Sequence, residues 1–240
     1  MAEVHEIAPK IYRISHFDGT AAPIQFTQFL IDDDKPLLFH TGQKMLFDDT
    51  LDAVKSVIDP AKLAYVSYSH VEADECGAMN EFLNVAPNAE VVHGMIGQMI
   101  GQSDFFDREI HAMQDDQVLD LGEKKLRFLV TPHVPHAWDA ILVFEDTTKT
   151  LFCSDLFTVF GTSDGTTESD LIEPSMQAAA AFPGYLPVGP HTSAVFDRLI
   201  GLEPKALAGH HAPTYTGNAA KALDDLRGEL LKSAGVSPPS

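Results

Sequence analysis

The 240-residue chain carries 35 acidic side chains against 16 basic ones, a formal net charge of -19 at pH 7. A surface this negative repels phosphate backbones and anionic lipids, so nucleic acids and membranes are not expected partners. No apolar stretch is long enough to span a bilayer, no signal peptide is apparent, and the cysteines Cys76 and Cys153 form no CxxC pair. We therefore expect one cytoplasmic domain over residues 1–240 with reduced thiols.

Apolar runs of four to eight residues, bounded by turn-forming residues, predict short strands along the chain. In chain order, the predicted strands cover residues 10–14, 24–31, 37–40, 63–67, 89–93, 118–121, 125–130, 140–145, 150–153 and 204–208. Apolar residues at helical spacing predict the intervening helices, at residues 45–57, 76–84, from residue 96 onward, 193–202 and 219–232. Clustered strands with helices between them predict an α+β fold with sheets inside and helices outside.

The segment 157–190 has no clear periodicity, apart from a possible helix at 175–181. It is long for a connecting loop, which favours a functional role. Its aromatic side chains are Phe157, Phe160, Phe182 and Tyr185. We predict that it forms a cap over a pocket or a dimer contact. The tail, residues 235–240, is predicted to be disordered.

Polar segments with imidazole or carboxylate groups follow four of the predicted strands, at residues 69–75, 131–139, 153–155 and 209–211. In the first segment His70, Glu72 and Asp74 recur at every second residue, so in an extended chain they face the same way. Mixed imidazole and carboxylate ligands suit Fe, Mn, Zn and Co. Because carboxylates can bridge two metals, the pattern favours a dinuclear centre over a closed structural zinc site.

Together these segments resemble the metallo-β-lactamase superfamily. The resemblance rests on His70-x-Glu72-x-Asp74, on Thr131-Pro132 leading to His136, on Asp155 after an apolar strand, and on His211 near the end. Within the superfamily the chain is most similar to the flavodiiron proteins and the oxygen-binding diiron proteins. Hydrolases of the superfamily usually carry a second histidine where this chain has Glu72, and a carboxylate there favours iron over zinc. The resemblance implies a four-layer αββα sandwich.

The resemblance also implies a role for each residue. His70, Glu72 and His136 would hold one metal, Asp74 and His211 the other, and Asp155 would bridge the two. The family usually has a second-metal histidine immediately after the first-motif aspartate, where this chain has Glu75. Glu75 therefore either binds the second metal or leaves the second site weak or empty.

Two pairs of neighbouring histidines leave the choice of ligand open. His133 and His136 both follow Thr131-Pro132, and the resemblance favours His136, since His136-Ala137-Trp138-Asp139 is similar to the family's segment. His210 and His211 are adjacent, and the resemblance favours His211.

Supporting roles are predicted for a few other polar residues. Asp139 is a candidate acceptor for a hydrogen bond from a ligand imidazole, and Tyr215 a candidate donor to a bound oxygen species. Among the remaining histidines, His16 and His40 are the most probable site residues, because both fall at predicted strand ends.

The leading functional hypothesis is a non-haem diiron protein that binds or reduces O₂, or NO, as a sensor or slow oxidoreductase. The expected cofactor is two Fe ions, with Zn or Mn as alternatives, and no flavin in this chain. A separate electron-donor protein or signalling partner and a homodimer are expected. The alternatives are a binuclear zinc hydrolase, acting on an ester, thioester, lactone or phosphodiester, and a non-catalytic signalling module with one metal or none.

Overall fold

Two mixed β-sheets form the centre of the molecule in a computed structural model that describes residues 1–17, 23–162 and 164–236. The first sheet has the strand order β1-β2-β3-β4-β5-β6-β7. Its strands are β1 (Glu3–Ala8), β2 (Ile11–His16), β3 (Phe26–Ile31), β4 (Leu37–Phe39), β5 (Tyr65–Ser67), β6 (Glu90–Gly94) and β7 (Ile110–Met113). The first four strands are antiparallel neighbours, and β4 to β7 run parallel.

The second sheet has the order β12-β14-β13-β11-β10-β9-β8. Its strands are β8 (Val118–Asp120), β9 (Lys125–Val130), β10 (Ile141–Glu145), β11 (Thr150–Ser154), β12 (Thr166–Thr167), β13 (Ala206–Gly209) and β14 (Thr214–Tyr215). Strand β10 is antiparallel to both β9 and β11, and β13 is parallel to β11. It follows that β9, β11 and β13 all end at the same edge of the sheet.

Helices cover the outer face of each sheet. They are α1 (Phe47–Lys55), α2 (Ala73–Cys76), α3 (Met79–Val85), α4 (Met95–Met99), α5 (Ile172–Ala181), α6 (Thr192–Gly201) and α7 (Ala219–Ser233). Short 3-10 turns lie at Lys44–Leu46, Pro60–Lys62 and Gln102–Phe105. No helix within the described ranges is both long and apolar enough to cross a membrane.

Alternation along the strands divides the core into three apolar layers. Phe29 and Phe152 point into the space between the sheets, where their rings lie 5.2 Å apart. The adjacent Leu30 packs outward under α1 and α3. Leu151 likewise packs outward, beneath the three C-terminal helices. The layers are therefore helix, sheet, sheet and helix, which confirms the predicted αββα sandwich.

Most predicted elements are present within two or three residues of their expected bounds. The predicted helix 76–84 is two helices, α2 and α3, and the helix expected at 175–181 begins earlier, at Ile172. Strands β1, β7, β12 and β14 were not predicted. Most of the predicted disordered tail, residues 237–240, lies outside the described residues.

Candidate metal centre

The ligand candidates lie on loops that leave the two sheets at one edge. His70 and Glu72 follow β5, and Asp74 and Glu75 lie in α2 directly after them. His136, Asp155 and His211 follow β9, β11 and β13, whose ends meet because these strands are parallel to one another. The Ile141 amide donates to the Ser69 carbonyl at 2.9 Å, which ties the two sheets together beside the site.

The structure brings all seven predicted ligands together, and His210 with them. Ligand atoms lie within 4.8 Å of one another in three overlapping groups: Asp74, Glu75, His210 and His211; His70, Glu72 and His136; and His70, Glu75 and Asp155. His133 is not in any of these groups, and its ring lies near His191 instead. The geometry thus agrees with the choice of His136, whereas it places both His210 and His211 at the site.

Two carboxylates, those of Asp155 and Glu75, lie between the group that contains His136 and the group that contains His211. Asp155 Oδ2 lies 3.1 Å from His136 Nε2, and its Oδ1 lies 3.6 Å from His211 Nε2. Glu75 Oε1 lies 3.7 Å from His70 Nε2, and the Glu75 side chain also belongs to the group around Asp74. Asp155 has the position expected of a bridging ligand, and Glu75 has a similar position that was not foreseen.

Most of the facing nitrogen and oxygen atoms at the site are farther apart than hydrogen bonds would place them, and close to the spacing of ligands around one metal. Nitrogen and oxygen atoms facing each other across the site are separated by 3.1–3.7 Å. Hydrogen bonds of this type are shorter, about 2.7–3.2 Å. Ligands bound at about 2.1 Å in a tetrahedral or octahedral shell are about 3.0–3.4 Å apart.

Several buried polar atoms at the site lack a hydrogen-bond partner. They are His70 Nε2, both carboxylate oxygens of Glu75, Asp155 Oδ1 and His210 Nε2. An unsatisfied buried polar atom costs about 1–3 kcal/mol, and such a concentration in one place calls for an explanation. Since all five atoms are metal-ligating types that face one another, a bound cation explains them. The residues present therefore fit a metal centre.

In each predicted imidazole ligand Nδ1, the ring nitrogen turned away from the site, already has a hydrogen-bond partner. His70 Nδ1 lies 3.0 Å from Ser69 Oγ, His136 Nδ1 lies 2.9 Å from the Tyr185 carbonyl, and His211 Nδ1 lies 2.8 Å from the Gln25 carbonyl. A carbonyl can only accept, so His136 and His211 donate from Nδ1 and turn Nε2 toward the site. Metal-bound histidines are oriented in this way.

Protonation in the metal-free chain reflects the crowding of charges. Burial, and then the negative charge of Asp155, raise the pKa of Glu75 well above its usual value. The neighbouring imidazoles of His136 and then His70 lower the pKa of Glu72 to about 2. Burial opposes ionisation of His136, but hydrogen bonds to Asp155 and Glu72 prevail and raise its pKa to about 10. Metal binding must therefore displace protons, and Glu75 and His136 are their main sources.

Asp139 was expected to accept a hydrogen bond from a ligand imidazole, but it contacts the backbone of the metal loop and lies beside a different imidazole. Its Oδ2 accepts hydrogen bonds from the Val71 amide at 3.0 Å and from Gln102 Nε2 at 2.7 Å. The imidazole beside it is His93, whose Nε2 lies 3.5 Å away, and not that of a predicted ligand. Asp139 therefore fixes the backbone between His70 and Glu72.

Tyr215 lies in β14 and packs against the outer apolar layer of the second sheet. Its predicted role toward bound oxygen stays a prediction. Tyr185 is the tyrosine beside the candidate ligands, since its ring centroid lies 4.9 Å from that of His136. The predicted cap segment contains Tyr185, but no sequence motif marked this particular residue.

Of the two other histidines singled out, His16 contacts Thr50, whereas His40 belongs to the site's surroundings. His40 Nε2 lies 3.0 Å from Ser69 Oγ, and its Nδ1 lies 2.7 Å from His210 Nδ1.

Comparison with known proteins agrees with this geometry. The model of the ODP family beta lactamase matches residues 24–212. The chain belongs to this family. It is 30% identical over 135 residues to "Flavo-diiron protein FprA2" of Clostridium acetobutylicum, a match covering 54% of this chain and 33% of that protein. It is 25% identical over 202 residues to "Rubredoxin-oxygen oxidoreductase" of Megalodesulfovibrio gigas, covering 80% of this chain and 49% of that protein.

Among solved structures, rubredoxin oxygen:oxidoreductase from Desulfovibrio gigas superposes with a TM-score of 0.85 at 20% identity, over 99% of this chain and 63% of that one. This likeness shows the fold, a flavodiiron-type metallo-β-lactamase-like core. The ODP-family chain spans about a third to a half of the length of the two curated relatives named above.

Proposed function

We propose that this ODP-family protein is a non-haem diiron protein that binds and reduces O₂, with NO as a second diatomic ligand. The observation that carries the proposal is the cluster of four carboxylates and inward-facing imidazoles at the edge of the two sheets, of which Glu72 alone is exposed among the residues described. The similarity to proteins named for two irons and for oxygen supports it.

The ligand set favours iron over zinc by its charge and its donor type. His70, Glu72 and His136 would hold the first iron, Asp74, Glu75 and His211 the second, and Asp155 would bridge them. The four carboxylates carry four negative charges when ionised, which would balance the charge of two ferrous ions. Carboxylate oxygens are hard donors that suit iron, whereas zinc sites of hydrolases rely more on imidazole and thiolate. A ferrous pair held there would supply two electrons to O₂.

The chain's own residues would orient the ligands and keep water away. Asp139 anchors the loop between His70 and Glu72, as the contact to the Val71 amide indicates. Tyr185 lies over His136, and its hydroxyl is paired with Thr158 at 2.8 Å. Phe182 packs beside Tyr185 at a ring distance of 5.8 Å, so an aromatic wall borders this side of the site. We propose that this part of the segment 157–190 is the cap over the centre.

Repeated turnover would require a source of electrons. We propose that a separate electron-donor protein re-reduces the irons, and that a homodimer without bound flavin is the working form. A reductase would consume O₂ continuously with such a donor, whereas a sensor would react once and stop.

The test is metal content and the optical spectrum of protein purified without oxygen and then exposed to air or NO. We expect two irons per chain, no flavin absorption and a new visible band on exposure. Zinc in place of iron, with no colour change and turnover of a model ester, would contradict the proposal and favour a hydrolase. One metal or none would favour a signalling module.

A further inference from the structure

We propose that His210 is a ligand of the second metal and that His40 positions it. In this arrangement His210 supplies the imidazole that is missing where the chain has Glu75 after Asp74. The inference rests on the proposed function only in requiring two metals at the site. It does not depend on which metal is bound or on reaction with O₂.

The position of the His210 ring is the first support. His210 is fully buried, and its Nε2 has no hydrogen-bond partner. That atom lies 3.6 Å from Asp74 Oδ2, close to the 3.4 Å that separates the same oxygen from His211 Nε2. Asp74 is therefore flanked by two imidazole nitrogens at nearly equal distances, as two ligands of one metal would be.

The backbone holds the two neighbouring histidines in this arrangement. The His210 amide donates to the Ser154 carbonyl at 2.7 Å, just before Asp155. A register shift in the pairing of β11 with β13 lies at the same point. Successive side chains of a regular strand would face opposite ways. Because His210 and His211 follow the end of β13, both rings can turn toward Asp74, and their centroids lie 4.2 Å apart.

His40 is the second support, because it fixes the remaining ring nitrogen of His210. The two Nδ1 atoms are 2.7 Å apart, so a proton on one of them must be donated to the other. If His210 binds a metal through Nε2, its proton is on Nδ1 and His40 Nδ1 accepts it. Neutral His40 then carries its own proton on Nε2, which faces Ser69 Oγ at 3.0 Å. In the other tautomer His40 Nδ1 would donate its proton to the Thr27 carbonyl, but that contact, at 3.4 Å, is longer than the 2.7 Å to His210 Nδ1.

Ser69 links this chain of hydrogen bonds to the first metal. Its hydroxyl lies 3.0 Å from Nδ1 of the predicted ligand His70. When His210 and His70 are both bound to metal, Ser69 Oγ accepts hydrogen bonds from His40 Nε2 and His70 Nδ1. It donates its own proton to Ser154 Oγ, 2.7 Å away. That reverses the Ser154-to-Ser69 hydrogen bond of the metal-free chain, which needs only rotation of two hydroxyls. The N–H groups of His40 and His70 and the Ser69 hydroxyl then all have partners.

His40 occupies this place at a conformational cost. It is fully buried immediately after β4, and its backbone has φ of +66°, a region that non-glycine residues seldom adopt. Such strain persists where the surroundings enforce it, often at functional sites. In this conformation the His40 ring stacks on that of Phe39 and its centroid lies 4.5 Å from that of His210.

Cobalt(II) titration of the metal-free full chain, in competition with a chelator, tests the proposal. We expect two sites in the wild-type protein and in His111→Gln, a control at a half-exposed histidine away from the site. His210→Gln should keep the first site and lose at least 100-fold in affinity at the second. Two sites within tenfold of wild-type affinity in His210→Gln would overturn the assignment.

X-ray absorption on the cobalt-loaded wild-type protein avoids any question of folding in the variant. We expect four imidazoles per metal pair, from His70, His136, His210 and His211, and a count of three would refute the proposal. For the positioning role, His40→Leu should weaken the second site about 10- to 100-fold, and His40→Gln, which keeps hydrogen-bonding groups, should recover part of that loss. Equal wild-type affinities in both His40 variants would remove His40 from the proposal.

These results separate the ligand assignment from the proposed function. Two cobalt sites in the wild-type protein, with one lost in His210→Gln, support the assignment even if the native metal is zinc. A wild-type protein that holds only one cobalt contradicts both proposals. A wild-type protein with two sites that are indifferent to His210→Gln contradicts this assignment alone.

Discussion

Replacing Glu75 by Gln should stabilise the metal-free protein and weaken metal binding. The metal-free site holds the Glu75 carboxyl in a fully buried position where neither oxygen has a hydrogen-bond partner. Burial and the charges of Asp155 and Asp74 raise its pKa, so the folded state retains a proton that the unfolded chain releases above about pH 4.5. An amide of the same size has no proton to lose, so it removes the difference in protonation between the folded and unfolded chain. It also removes one negative charge from the metal site.

The size of the effect follows from proton linkage. An acid with a raised pKa lowers stability above its unfolded-state pKa, by about 1.4 kcal/mol for each pH unit until the folded-state pKa is reached. For Glu75 this limits the penalty at pH 7 to about 3.5 kcal/mol, and the penalty vanishes near pH 4.5. Glu75→Gln should therefore raise the metal-free melting temperature by several degrees at pH 7, while metal affinity falls at least 100-fold, or about 2.7 kcal/mol.

Denaturant unfolding of the metal-free proteins at several pH values between 2 and 7.5 provides the assay. Glu72→Gln is the matched control, since the neighbouring imidazoles of His136 and His70 lower the pKa of Glu72 to about 2 and reverse the sign of the effect. Glu72→Gln should destabilise the metal-free protein at pH 7. The difference in free energy of unfolding from wild type should shrink as pH falls from about 4.5 toward 2. A Glu75→Gln protein that is less stable than wild type at pH 7, or shifted equally at every pH, would refute the reasoning.

Three further predictions concern the centre and the core. Metal affinity should fall as pH is lowered from 8 to 5.5, with proton release on binding, because His136, with a pKa of about 10, and Glu75 must lose protons; chelator competition measures this, and a pH-independent affinity would contradict it. Asp139→Asn should lower metal affinity about 10- to 100-fold by loosening the loop at Val71; unchanged affinity in the same titration would count against that anchor. Phe152→Ala should cost about 3–5 kcal/mol in denaturant unfolding, because the ring is fully buried between the sheets; a loss below 1 kcal/mol would mean that the two sheets do not depend on this contact.

The layered fold could be predicted because its signals are local. Strands such as β10 and β11 are continuous apolar runs, and α7 has apolar residues at helical spacing with Asn218 as its N-cap. The strands that were not predicted lack such signals. None of the residues of β1 is buried, and β12 and β14 have two residues each. Within the described residues β1 is an edge strand paired only with β2, and β12 forms by pairing with β14, which is distant in sequence and which periodicity does not show.

The predicted ligands converge because each is near the end of a strand, which a sequence motif can indicate. The partners of those ligands could not be predicted in the same way. Tyr185 reaches His136 through a backbone carbonyl, which any residue type could supply. The contact between His40 and His210 joins positions 170 residues apart, and no spacing rule relates them. Glu75 was recognised as a departure, but its place between the two ligand groups depends on the packing of α2.

Mössbauer spectroscopy of protein reconstituted with ⁵⁷Fe(II) without oxygen tests the central claim most directly. The account predicts two ferrous sites of equal area per chain, both converted by O₂ to a magnetically coupled ferric pair. One ferrous site, or two sites that remain ferrous in the presence of O₂, would contradict the claim that this cluster of carboxylates and imidazoles is an oxygen-reactive diiron centre.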